Sequence, residues 1–410
     1  MPVIDLVELY YASADLPAPF EPAWVPGSRR MKTGFYLIRI ATDDGVEGWS
    51  GFSASGKERA GIGDGIADAF LGTDPTDIDL VHERIKILAN GGLRHWWIEP
   101  AFWDVKGKLA GLPVYKLLGG TDDRIWLYAS SGEVRGIEAR REEAEARFAE
   151  GFNVMKMRVH DWDEAVDIAQ IQDLADHMKG RMRIAVDCNQ AFRMTLHGNA
   201  PIWDLGRAKR FADAAAEAGL FWVEEPLYME WYDDMAALAA YSRVPIAGGE
   251  LHTSGYPELR YMAQKRCYDI FQPDAMWSGG IKQVLQVGEF CRSQGLGFSP
   301  HSWGNGLGFL INAHIMAASG FAKEYPFEYP YCPPGWTLEA RDAILARPSM
   351  HENGWFSMPQ EPGLGIEIDR KALDKQGVCF FRATRKERHW MPETLDGSAM
   401  RREISREGAQ

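Results

Sequence analysis

The chain has 410 residues, 46% of them hydrophobic and 25% charged, with a net charge of −13 and no Lys/Arg run. That composition suits a globular protein with one large core and a smaller domain, and the acidic balance argues against nucleic acid or an anionic membrane surface as partner while leaving a small anionic substrate open. Five scattered cysteines without a CxxC pair point to a reduced, cytoplasmic protein lacking structural zinc, and neither a signal-peptide pattern nor an apolar run of roughly 20 residues is present.

To about Arg124 the pattern is mixed. VIDLVELYYA and TGFYLIRIATDDGVEGWS carry apolar runs around a turn at Asp43, Asp44 and Gly45, which predicts an antiparallel sheet. Between them PAPFEPAWVPGSRR holds four prolines and no periodicity, which predicts a lid loop over about residues 15–32 carrying Trp24, Arg29 and Arg30. From about Ile66 the spacing turns helical. An aromatic cluster, His95, Trp96 and Trp97, precedes the helix EPAFWDVKGKLAGL, which stops at Pro113, and YKLLGG closes the segment on a glycine pair.

After Arg124 strands and helices alternate. IWLYASS, NVMKMRV, RIAVDCN, LFWVEEP, PIAGGE, DIFQPD, LGFSPHS and PFEYP read as strands, with amphipathic stretches such as ARREEAEARFAEGF and DEAVDIAQIQDLADHM between them. Eight strands over about 200 residues is the arithmetic of a (β/α) barrel. The competing doubly wound sheet would bring a glycine-rich turn after its first strand, and there is none. The expected fold is therefore α/β: a modified TIM barrel over residues 125–335, an α+β capping domain over 1–124, and a C-terminal segment, 336–410, that completes the capping domain.

In such barrels the chemistry sits at the C-terminal ends of the strands. Here those ends are polar at strand after strand: Lys156, Arg158 and His160; Asp187 and Asn189; Glu224 and Glu225; then Glu250, Asp274, His301 and Glu328. Any one of these alone reads as a helix N-cap or a solvated loop residue. Their recurrence around one rim reads as a site. Three carboxylates from successive strands, Asp187, Glu224 and Glu250, are a hard-oxygen donor set.

These motifs, in this order, resemble the enolase superfamily and its mandelate racemase-like subgroup. AFWDVKGKLAGLPVYKLLGG resembles that family's junction between capping domain and barrel, VMKMR its Lys-x-Lys strand, VDCNQAF, WVEEPL and IAGGE its three metal-ligand strands, QPDAMWSGGI and SPHSWG its Asp–His dyad, and PFEYP its eighth-strand acid. The resemblance implies that Asp187, Glu224 and Glu250 ligate Mg2+. It makes His301 the general acid/base, with Asp274 orienting its ring, and places Glu328 by the substrate carboxylate as a neutral hydrogen-bonding group. Lys156 and Arg158 form the cationic side. Asn189 reaches the metal shell or a substrate hydroxyl, and Glu225 points to the other side of its strand. Trp303, Trp24 and Arg29 are expected to line or close the substrate pocket.

One departure narrows the chemistry. Arg158 stands where the family pattern has a second Lys, and a guanidinium does not readily serve as a base. His160 is expected beyond the strand end. With a base on one face of the α-carbon, the favoured reaction is metal-assisted removal of the proton α to a carboxylate. Loss of the β-hydroxyl follows, which is dehydration of a sugar acid to a 2-keto-3-deoxy acid. Racemisation or epimerisation is the alternative within the family, and a metal-binding barrel without turnover the alternative outside it. A homo-oligomer is the expected assembly.

Overall fold

A computed structural model describes residues 2–54, 62–91, 94–192 and 200–390. It opens with β1 (Ile4–Phe20), β2 (Arg30–Thr42) and β3 (Glu47–Ala54). The β2–β3 connection is the expected turn: Ala41 pairs with Glu47, and Gly45 takes φ +89, a conformation that glycine adopts without steric cost. Helices α1 (Gly63–Phe70), α2 (Ile78–Ala89), α3 (Glu99–Ala110) and α4 (Val114–Leu117) follow, α3 ending on Gly111 at φ +68.

The expected lid is shorter than residues 15–32. β1 continues to Phe20, which pairs with Arg30 after a register shift beyond Asp15, so only residues 21–29 lie outside strands. Pro17 and Pro19 fall in that shifted stretch, where a ladder hydrogen bond is not required of them.

Among the described residues the second half alternates strand and helix. It runs β4 (Arg124–Val134), α5 (Ile137–Ala149), β5 (Val154–Arg158), α6 (Glu164–His177), β6 (Arg183–Asp187), α7 (Leu205–Ala218), β7 (Val223–Glu224) and α8 (Tyr232–Tyr241). It continues with β8 (Ile246–Gly248), α9 (Tyr256–Lys265), β9 (Ile270–Phe271), α10 (Gly280–Ser293), β10 (Gly297–Phe298), α11 (Gly306–Ala318) and β11 (Phe327–Pro330). All eight expected barrel strands are present, every neighbouring pair is parallel, and β11 returns to pair with β4. Between β10 and β11 no ladder is formed among the described residues; there the Ser299 hydroxyl donates to the Pro326 carbonyl at 2.8 Å. Helix starts are capped as their sequences suggest, by Asp163 on α6, Asp204 on α7 and Asn305 on α11.

The C-terminal segment divides its contacts. After α12 (Leu338–Arg341), β12 (Trp355–Ser357) pairs with β4 of the barrel rather than with the N-terminal sheet. α13 (Arg370–Gln376) leads into β13 (Gly377–Thr384), which pairs with β1, and β14 (Arg388–Trp390) forms the edge of that five-stranded sheet. The remainder of the expected segment, residues 391–410, lies outside the described residues. No described helix is long and apolar enough to cross a membrane.

Candidate active site

One apolar layer closes the barrel interior: Tyr128, Val154, Ala185, Ala247 and Ile270, from β4, β5, β6, β8 and β9, with Trp222 from just before β7. Side chains two residues further along a strand face the same interior. On that register come Ser130, Lys156, Asp187, Glu224 and Gln272, and all five are buried. The sequence thus builds a greasy floor and then, at the C-terminal strand ends, a polar layer above it.

Lys156 donates to Glu224 Oε1 at 2.6 Å and lies 2.9 Å from Glu328 Oε1 and 3.8 Å from Asp187 Oδ2. Glu224 also accepts from Trp222 Nε1 at 3.0 Å and from Gln272 Nε2 at 3.1 Å. Arg158 donates to Asp187, to the Ser131 carbonyl at 2.8 Å and to Asn189 Oδ1 at 3.3 Å. Asn189, held at φ +48, donates from its backbone N–H to Asp187 Oδ1 at 2.8 Å. Burial would lower both cations, but Glu224 and Glu328 raise Lys156 above its ordinary range, and Asp187 and Glu224 do the same for Arg158.

His301 donates from Nδ1 to Asp274 Oδ2 at 2.9 Å, and its Nε2 lies 3.0 Å from Glu250 Oε2 and 3.7 Å from Glu328 Oε2. Asp274 is itself fixed, since its other oxygen accepts from Asn312 Nδ2 at 2.9 Å and from the Met276 N–H at 2.8 Å. Burial would lower His301, but Glu250, Glu328 and the bond to Asp274 raise it well above its ordinary value.

The lid reaches this rim. The Trp24 ring lies 5.4 Å from the Arg158 guanidinium carbon and 4.9 Å from the Trp303 ring, and Trp303 donates to Ser130 Oγ at 2.9 Å. His160 lies past the end of β5 and bonds through Nε2 to the Ala23 carbonyl of the lid at 2.9 Å, with burial lowering its pKa. Its N–H is therefore committed to the lid. Arg29 is exposed and lines an outer cavity of about 640 Å³ with Glu21, Glu133 and His160; it is not brought to the carboxylate group.

One expectation needs correction. Glu328 is not neutral: burial would raise its pKa, but Lys156, His301 and Arg158 hold it far below the usual carboxylate range. Glu225 is shifted the opposite way. It is buried at φ +48, and burial together with Glu250, Asp187 and Glu224 pushes it well above that range. Sequence reasoning also missed four partners. Ser130 Oγ donates to Glu328 Oε1 at 2.7 Å, the Ser302 N–H to Glu328 Oε2 at 2.8 Å, Gln272 holds Glu224, and Asn312 holds Asp274. Period-two spacing could have found Ser130 and Gln272; Asn312, on α11, carries no local signal.

Among the described residues no three His, Cys, Asp or Glu side chains already converge as a metal group. Asp187 faces Arg158, Glu224 faces Lys156 and Glu250 faces His301. The donor chemistry nevertheless fits a hard dication, since Asp187 and Glu224 are cross-strand partners and Glu250 lies just past the end of β8, the next strand. Charge points the same way. The buried carboxyl groups Asp187, Glu224, Glu225, Glu250, Asp274 and Glu328 outnumber Lys156, Arg158 and the His301 imidazole. Glu224 registers that excess, raised by burial and by Asp187 and Glu328 despite Lys156.

Known proteins resemble this chain in sequence and in fold. The family described as enolase C-terminal domain-like matches residues 139–372, and the mandelate racemase / muconate lactonizing enzyme N-terminal domain matches residues 12–119. The D-galactarolactone cycloisomerase of Agrobacterium fabrum is 27% identical over 90% of this chain and 97% of its own. The L-talarate/galactarate dehydratase of Salmonella typhimurium is 29% identical over 92% of each chain. The solved structure of L-talarate dehydratase from Polaromonas sp. JS666, complexed with Mg and L-glucarate, superposes with a TM-score of 0.78 at 25% identity, covering 94% of this chain and 100% of that one. The chain belongs to the mandelate racemase-like family of the enolase superfamily.

Proposed function

We propose that the protein is a Mg2+-dependent sugar-acid dehydratase, a hydro-lyase that converts an aldonate or aldarate to the 2-keto-3-deoxy acid. The observation that carries this reading is the asymmetry of the rim. His301, oriented by Asp274, stands on one side, and Arg158, tied to Asp187 and Asn189, stands where a second base would have to be. The relatives named as sugar-acid dehydratases support it.

In this reading Asp187, Glu224 and Glu250 hold the metal. When bound, Mg2+ supplies Lewis-acid polarisation of a substrate carboxylate and takes up carboxylate charge that otherwise keeps His301 protonated. Lys156, and Arg158 beside it, face the substrate carboxylate and stabilise negative charge as it develops there. His301 Nε2 removes the α-proton, and the C–H electrons move into the carboxylate. The same imidazolium then gives that proton to the β-hydroxyl as the C–O bond breaks, releasing water and an enol that tautomerises to the 2-keto acid. Asp274, pinned by Asn312 and Met276, keeps the Nε2 side of the ring toward the substrate. Trp24 and Trp303 close over the cationic side and exclude water.

A second reading is favoured by the cycloisomerase relative. In an aldaric lactone whose β-oxygen belongs to the ring, the same elimination opens the ring instead of releasing water. Both readings are tested by incubating the protein with Mg2+ and a panel of aldonates, aldarates and their lactones in deuterated water. A 2-keto acid from an open-chain substrate supports dehydration, and one formed from lactones alone supports cycloisomerisation. Deuterium at the α-carbon without elimination means racemase or epimerase and overturns both.

A further inference from the structure

Glu99 opens α3, far in sequence from the rim residues, and is fully buried. Its carboxylate has four donors. His82 Nε2 approaches Oε1 at 3.1 Å and Trp103 Nε1 at 2.7 Å, while the Ile281 N–H donates to Oε2 at 2.8 Å and the Lys282 N–H to Oε1 at 3.1 Å. The last two are first-turn amides of α10, a barrel helix. α10 has no side-chain cap of its own, and its start is glycine at Gly279 and Gly280. Gly280 sits at φ +72, where a Cβ would come within 2.7 Å of the Glu99 carboxyl carbon. A carboxylate from the N-terminal half thus caps a barrel helix in trans, against the positive end of its dipole.

The turn between Asp274 and α10 links this cap to the rim. The Asp274 carbonyl accepts from the Trp277 N–H at 3.0 Å and from the Ser278 N–H at 2.7 Å, and the Ala275 carbonyl accepts from the Gly280 N–H at 3.0 Å. Ser278 Oγ donates to the Glu250 carbonyl at 2.7 Å. One rigid turn therefore presents Asp274 to His301, braces Glu250, and ends on the helix terminus that Glu99 holds. Two further contacts of the same region dock on these loops: Trp96 Nε1 donates to the Thr253 carbonyl at 2.8 Å, and Gln283 Nε2 pairs with His82 Nδ1 at 3.1 Å.

We propose that Glu99 is a positioning residue for the acid–base side of the site, holding residues 274–280 so that Asp274 and Glu250 stand at their working positions. The proposal rests on His301 being the base. Its route is through backbone placement, so a displacement on the order of 1 Å is enough to cost up to about 100-fold in rate.

The test compares the full-length protein with Glu99→Gln, and with Trp103→Phe as a milder change that removes one donor and leaves the cap in place. Three quantities are read: amide hydrogen exchange of the 275–283 segment, Mn2+ affinity by paramagnetic resonance, and kcat against KM on whichever sugar acid the wild type turns over. The expected result for Glu99→Gln is lost protection confined to that segment. Mn2+ binding weakens several-fold, and kcat falls about 10- to 100-fold with KM within about two-fold. Trp103→Phe is expected to move all three in the same direction by less. Lost protection with unchanged Mn2+ affinity and kcat makes Glu99 a structural cap only and overturns the proposal, as does unchanged protection in both variants. If Glu99→Gln unfolds, Trp103→Phe decides by the same criteria. If the wild type neither eliminates nor exchanges any sugar acid, the functional reading fails on its own, and exchange protection with Mn2+ affinity decides the positioning claim.

Discussion

Arg158 and Asp187 stand opposite each other in the β5–β6 ladder, and the guanidinium donates to that carboxylate. The pairing places a permanently charged group on the face where a two-base enzyme keeps its second base. Arg158→Lys puts an amine there that can lose a proton. The expected outcome is α-proton exchange from the second face, seen by NMR as deuterium in recovered substrate of inverted configuration, with dehydration slowed about ten-fold. Exchange that stays confined to one face in this variant would sink the one-base argument.

His301→Asn removes the group assigned to both proton transfers and leaves the carboxylates in place. Turnover is expected to fall by about 1,000-fold or more, while Mn2+ titration shows metal binding retained. Asp274→Asn keeps the ring but loses its orientation, and a drop of about 100-fold with little change in KM is expected. A His301→Asn variant of ordinary rate would transfer the base role elsewhere on the rim.

The strand ends were readable because two local rules coincide there. Apolar runs mark buried strands, and period-two spacing carries Lys156 to Arg158 and Asp187 to Asn189 along one face. What was not readable depends on partners brought from elsewhere in the chain. Nothing local to Glu328 marks its charged form as the favoured one; Lys156, from a different strand, sits 2.9 Å away and favours it. Asn312 reaches Asp274 across 38 positions and Glu99 reaches Ile281 across 182, distances over which no periodicity speaks. The lid's prolines mimic one long loop, while a register shift lets β1 continue past Pro17 and Pro19.

Trp24 meets both the Arg158 guanidinium and the Trp303 ring, within a cluster that includes Phe20 and Trp336. Trp24→Ala is expected to raise KM about three- to ten-fold through a poorly closing lid, with a smaller change in kcat. Steady-state kinetics on the identified substrate checks this. A fall in melting temperature without any change in KM would reduce Trp24 to a packing residue.

A site whose buried carboxylates outnumber its cations is expected to gain stability from a dication. At a free Mg2+ concentration about 100 times Kd, linkage gives roughly 2.7 kcal/mol, a rise in melting temperature readable by calorimetry. Glu224→Gln removes one donor and should shrink that rise. An equal Mg2+ response in wild type and variant would remove Glu224 from the ligand set.

His314, outside the proposed chemistry, is expected to contribute to acid sensitivity. The Tyr115 N–H donates to its Nδ1 at 3.0 Å, so Nε2 carries the proton and donates to the Leu364 carbonyl at 3.1 Å. Protonating Nδ1 would set two N–H groups against each other, and burial lowers the pKa from 6.5 to about 4. The folded value lies below the unfolded one, so the unfolded chain binds the extra proton first. Stability is therefore complete above about pH 6.5, declines as the pH falls, and levels off near pH 4, a loss of roughly 3 kcal/mol from this group. His314→Gln lacks the titration. It is expected to be less stable at pH 7.5 and to lose less between pH 7 and pH 4.5, as followed by denaturant unfolding. Parallel pH profiles for the two proteins would show that another group, such as the half-buried His351, which burial and Arg147 also hold at about 4, carries the acid sensitivity instead.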